Sequence, residues 1–187
     1  MSEIVLGALE FDSVATGIKA LDAMVKEAPV IVMKAAVVAA GKFLILIKGD
    51  VASIEYALKA GKEERENNII DELFLPNLHK GVIPALEGIV EAENWDSAGI
   101  IESLSLLSAI QVADIAAKTE NITINEIKLS VELGGRSYVK IMGEYHAVLE
   151  AINSAVEWLK MKKLYYRSEI IPRPHPEIKP FYLNEIK

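Results

Sequence analysis

The 187-residue chain is 51% hydrophobic and carries a formal net charge of −7. That balance argues against nonspecific nucleic-acid binding and points to apolar surface buried between subunits as well as within one. The absence of cysteine excludes disulfides, a thiolate nucleophile and a Cys-ligated metal.

In chain order, IVLGALEF (4–11) reads as a strand. Val14, Ile18, Leu21, Val25 and Ala28 then recur on one helical stripe, with Ser13 or Asp12 as the N-cap. A strand near 30–38, a turn at Gly41 and a strand at 42–48 follow. The Gly41 turn can adopt a positive φ and bring backbone close to another group. A second helix places Val51, Ile54, Leu58 and Gly61 inward, and IIDELFL (69–75) closes the unit as a strand. The segment 76–98 contains Pro76, Pro84 and Gly88, ends in an acidic stretch, and reads as a linker.

The same order is then written again. LGALEFDSVATGIKALDAMVKEAPV (6–30) lies over AGIIESLSLLSAIQVADIAAKTENI (98–122) at an offset of 92 residues, matching Glu10 with Glu102, Asp22 with Asp114 and Lys26 with Lys118. After a two-residue insertion GKFLILIKGD (41–50) lies over GRSYVKIMGE (135–144), and LPNLH (75–79) over IPRPH (171–175). In the second copy Leu106, Ile110, Ala113 and Ala117 repeat the first stripe, and Tyr145, Val148, Ile152 and Ala155 repeat the second. The strand LYYRSEII (164–171) ends the copy. Each copy is thus β-α-β-β-α-β, a split βαβ ferredoxin-like arrangement of the α/β (α+β) class. The domains expected are residues 1–90 and 91–187.

No local motif carries catalysis. Gly41-Lys42 is followed by Phe43 and preceded by Ala36 where a P-loop needs its first glycine, so the phosphate-binding pattern fails. His79, His146 and His175 show no helical i, i+4 metal spacing; His79 and His175 read as structural residues at strand ends. Glu10 and Glu102 read as structural hydrogen-bonding groups, Trp95 and Trp158 as packing residues, and KEERE (62–66) as a solvated helix end. The opening MSEIVLGALE has no basic region and does not read as a signal peptide. No apolar run approaches the roughly 18 residues that span a bilayer, so the expected location is the cytoplasm and no membrane partner is expected.

EFDSVATGIKALDAMVKEAPV with LPNLH, and SLLSAIQVADIAAKTENI with VELGGRSYV and IPRPH, resemble the shell-protein domain of bacterial microcompartments. The likeness runs over nearly the whole chain, in the tandem form found in propanediol-utilisation compartments. It implies a non-enzymatic component of the shell. Three chains would close as a pseudohexameric tile, a homotrimer that meets other shell proteins at its edges and faces encapsulated enzymes within. It further implies that the loops after the second strand of each copy line a central pore for small molecules. These are Val38, Ala39, Ala40 and Gly41 in the first copy and Glu132, Leu133, Gly134 and Gly135 in the second. Lys26, Lys118 and Arg173 fall at the tile edges in that likeness, with Asn77 where the first copy lacks the arginine. The propanediol type holds an iron–sulfur cluster through a central-loop cysteine. Ala39 is the matching residue here, so no cofactor is expected. The other function considered is a trimeric ferredoxin-like regulator that binds a metabolite between subunits, because one fold hosts many functions.

Overall fold

The computed structural model describes residues 4–38, 41–64, 66–88, 95–129 and 134–183. They divide into two compact units. One runs through Leu78 and includes Gly134 and Gly135; the other runs from His79 to Leu129 and from Arg136 onward.

The first unit runs β1 (Val5–Phe11), α1 (Val14–Glu27), β2 (Ile31–Val37), β3 (Phe43–Gly49), α2 (Val51–Glu64) and β4 (Ile69–Leu75). Its sheet has the order β2-β3-β1-β4 with every neighbouring pair antiparallel. β3 therefore lies between β1 and β2, which is the split βαβ topology read from the sequence. The second unit contains α3 (Val82–Glu87), β5 (Ser97–Ser103), α4 (Leu106–Ala117), β6 (Ile122–Leu129), β7 (Ser137–Gly143), α5 (Tyr145–Met161), β8 (Tyr165–Pro172) and a short α6 (Lys179–Tyr182). Its sheet order, β6-β7-β5-β8, copies the first, again antiparallel throughout. Even the irregularities repeat. β2 slips register between Val32 and Lys34, and β6 between Ile124 and Glu126, at equivalent positions. A single-residue slip reverses which side chains face the helices, so its duplication argues that the two units share side-chain placement as well as topology.

The helix starts follow from local chemistry. Ser13 is the N-cap of α1, its Oγ accepting from the Thr16 N–H at 3.4 Å. Ser105 caps α4 through the Ser108 N–H in the same way. Each hydroxyl satisfies an amide that the first helical turn leaves without a partner.

In the first unit, Val5, Leu9 and Phe11 of β1 pack with Phe43, Ile45 and Ile47 of β3 against Met24, Ile54 and Leu58 from the helices. The α1 stripe expected to face inward is partly reversed. Gly17, Ala20 and Met24 are the buried residues of α1, while Ile18 and Val25 are exposed. A methyl group at Gly17 would overlap the Phe43 ring, so α1 lies on the sheet through its small residues and turns its larger β-branched ones outward. Val51 and Tyr145 are also exposed, in contrast to Ile54, Leu58, Val148 and Ile152. They begin their helices, where the chain is still entering from the strand. The whole α4 stripe is buried as expected. The expected linker proves partly ordered, because α3 packs on α4 and β6 with Val82 and Ala85 buried.

The repeat equivalents of Gly17 and Phe43 are Ala109 and Ser137, a swap of small and large partners. Gly17→Ala should therefore destabilise the chain by about 1–2 kcal/mol. Overpacking opposes the gain in helix propensity, and the ring atoms in the way lie near the backbone, so the ring cannot swing clear. Denaturant midpoints test this; an unchanged or raised midpoint would show that the Phe43 ring gives way at no cost.

Candidate functional site

The loop between β2 and β3 is closed by the Val38 N–H, which donates to the Lys42 carbonyl at 2.8 Å. Gly41 has φ +81° with no atom within 4 Å of where a Cβ would stand. The glycine is required by backbone conformation, where other residues are strained, and not by crowding within the chain. The second loop follows suit, with Gly134 at φ 63° and Gly135 at φ 89°. Ala39, Ala40, Glu132 and Leu133 lie outside the described residues.

Each loop is followed at once by a cation that meets a carboxylate on the neighbouring strand. Lys42 Nζ lies 3.1 Å from Glu10 Oε1. Arg136, its repeat equivalent, lies 3.8 Å from Glu102 and stacks over the Tyr166 ring at 4.4 Å. Glu10 is buried and Glu102 only partly so. Burial pushes the Glu10 carboxyl above its ordinary range, and Lys42 offsets part of that rise. Asp71, opposite Glu10 on β4, adds to it. The expected structural role of these glutamates is thus met by ion pairing. Their partners were legible as the Gly-Lys and Gly-Arg match at 41–42 and 135–136, but only strand register brings them beside the carboxylates.

The lysines of the first helices both fold back onto an aspartate one turn earlier. Lys26 Nζ is 2.5 Å from Asp22 and Lys118 Nζ 2.5 Å from Asp114. The surroundings differ: the Asp22 side chain is 58% exposed and that of Asp114 only 2%. Asp114 also accepts the His79 N–H at 2.8 Å. A depression of about 620 Å³ opens beside Lys118, lined also by Asn121, His146 and Glu150.

Past β4 and β8 the chain makes the same turn twice. Asn77 and Arg173 are equivalent and take positive φ, 57° and 47°. The Arg173 N–H donates to the Asp96 carbonyl at 2.8 Å. His79 Nδ1 accepts from the Gly81 N–H at 3.2 Å, and His175 Nδ1 accepts from the Glu177 N–H at 3.3 Å. An Nδ1 that accepts carries no proton, and burial holds the His79 imidazole below its ordinary pKa despite nearby Asp114. Both histidines are turn caps, as their position after the strand suggested. Among the described residues no cluster of three or more His, Asp or Glu side chains is placed to hold a metal ion.

Comparison with known proteins agrees with this duplicated architecture. The BMC domain matches residues 5–78 and again 97–174. The bacterial microcompartment shell protein PduT of Citrobacter freundii is 34% identical over 170 residues, covering 91% of this chain and 92% of that one. A crystal structure of a microcompartment protein from Desulfitobacterium hafniense superposes with a TM-score of 0.88 at 34% identity, covering 95% of this chain and 99% of the other. With two complete copies of the domain in a single fold-matched chain, the protein belongs to the BMC-domain family of bacterial microcompartment shell proteins.

Proposed function

We propose that the chain is a non-enzymatic wall tile of a microcompartment, in which three copies close as a pseudohexamer. Each repeat, residues 1–90 and 91–187, supplies one of the six domains. The loops at 38–41 and 132–135 line a central pore for small molecules, and Lys26, Lys118 and Arg173 lie at edges that meet other shell proteins. The observation that carries this reading is the duplication itself. Two units with the same sheet order, register slip, helix caps and strand-end ion pairs are the repeat that a ring of equivalent domains requires. The glycines at positive φ sit at the same place in both loops, which suits six loops meeting at one centre. A cluster held by thiolates has no ligand in a chain without cysteine, so no redox role is assigned.

Light scattering on the purified protein should give three times the 20.5 kDa chain mass, and concentrated trimer should form ordered sheets by electron microscopy. A monomer or dimer at micromolar concentration would overturn the trimer. A trimer that never forms sheets would favour the metabolite-binding regulator.

A further inference from the structure

The turn that follows each strand-end proline begins a short hook, and the two hooks match at an offset of 96 residues. His79 corresponds to His175, Val82 to Ile178, Pro84 to Pro180 and Ala85 to Phe181. Their backbones match too. The Val82 N–H donates to the His79 carbonyl and the Ile178 N–H to the His175 carbonyl, both at 3.0 Å.

The first hook is docked. It lies on α4 and β6, buries Val82 and Ala85, and gives its His79 N–H to Asp114. The second hook is anchored on one side only. Tyr182 is buried on its own sheet, and its hydroxyl proton is shared between the carbonyls of Gly99 at 2.8 Å and Ile141 at 2.9 Å. The neighbouring Phe181 points outward, 68% exposed, and Ile178 is exposed as well.

The face equivalent to the first hook's seat is α1 with β2, and it is open. Ile18 is 54% exposed where its equivalent Ile110 is 0%, and Val32 is 39% exposed where Ile124 is 4%. Asp22 stands in the solvent where Asp114 is buried under the His79 amide. Val37, paired with Phe43 as Val32 is with Ile47, extends the apolar face along β2. Among the described residues the chain thus carries an occupied hook and seat, and also an unoccupied hook and an unoccupied seat of the same design. Exposed apolar residues grouped in this way mark an interaction surface.

We propose that the hook at 175–182 of one chain docks on the α1–β2 face of a second copy, with its His175 N–H donating to Asp22 and Ile178 and Phe181 covering Ile18 and Val32. The contact is head-to-tail, because the two surfaces differ, and a head-to-tail contact that closes makes a ring. It rests on the trimeric tile reading and supplies the interface that reading needs. Its energetic core is burial of apolar side chains, with a charge-assisted hydrogen bond that sets the register.

The absence of cysteine allows a direct test. A Cβ at Gly81 would lie 3.9 Å from Ile124 Cδ1, and the equivalent pair across the proposed contact is Glu177 and Val32. Treated with a short bis-methanethiosulfonate crosslinker, Glu177→Cys with Val32→Cys should give covalent dimers and trimers on non-reducing gels, collapsed by reductant. Each single variant should give no trimer. Gly81→Cys with Ile124→Cys, bridged by the same crosslinker within one chain, serves as the geometric control. A variant that keeps the parent's trimer mass but shows no trimer band, under conditions where the control closes, overturns the contact and leaves the tile intact. A parent protein that is monomeric overturns the tile reading itself. Asp22→Ala provides a second measurement without cross-linking. Its exposed site leaves the fold undisturbed, and the concentration at which trimer dissociates should rise at least tenfold. An unchanged dissociation concentration counts against the proposal.

Discussion

Lys42→Met should cost the fold about 2–4 kcal/mol at pH 8 and markedly less near pH 5. Glu10 is buried and Lys42 is the cation beside it. Removing Lys42 leaves a buried carboxylate facing Asp71 from β4, and a buried charge without its partner is expensive. The sign with pH follows from the direction of the shift. The Glu10 pKa is already above 4.5 in the folded chain, because burial outweighs Lys42. The native state therefore holds the Glu10 proton more tightly than the unfolded state does. This group's contribution to stability is greatest below the unfolded value. It declines as pH rises through the interval up to the folded value, and is level above it. Loss of Lys42 raises the folded value further, so the decline steepens and extends to higher pH. Glu10→Gln should flatten it, and the Lys42→Met, Glu10→Gln pair should regain most of the stability at pH 8. Urea midpoints between pH 5 and 8 check all three proteins. A loss in Lys42→Met that is the same at every pH would show that packing, not charge, is at work.

Lys26→Ala combined with Lys118→Ala should leave the trimer whole and abolish ordered sheets. Within the chain each lysine contributes little. Lys26 and Asp22 are an exposed i, i+4 pair, worth about 0.3–0.5 kcal/mol. Lys118 meets a buried aspartate, but Asp114 keeps the His79 N–H when the lysine is gone, which holds the cost to about 1 kcal/mol. Between tiles the balance differs, since the proposed trimer would present these lysines six times around its rim. A small loss at each contact then multiplies over every neighbour. Electron microscopy and sedimentation at the concentration where the parent forms sheets give the answer. Sheets from the double variant would place these lysines elsewhere than the edge.

The sequence by itself determined the duplicated fold. Repeated strand and helix periods, two serine caps and two strand-end turns are local features, set by side chains a few residues apart. A chain that repeats them in order has little choice but to form the same sheet twice. The left-handed conformation at Gly41 was legible for the same reason, because a glycine between two strands is a local backbone demand.

Tertiary structure decided which faces those elements present. The α1 stripe looked like a core face because Ile18 and Val25 recur at helical spacing. The helix nevertheless sits on Gly17, since Phe43 on β3 needs a partner with no side chain. Glu10 and Lys42 are 32 positions apart, and only the β1–β3 register joins them. The same holds for His79 and Asp114. No periodicity in the chain reports that one hook is seated and its copy is bare. That difference depends on which elements lie next to each hook in space, and it separates two repeats whose sequences carry the same turn.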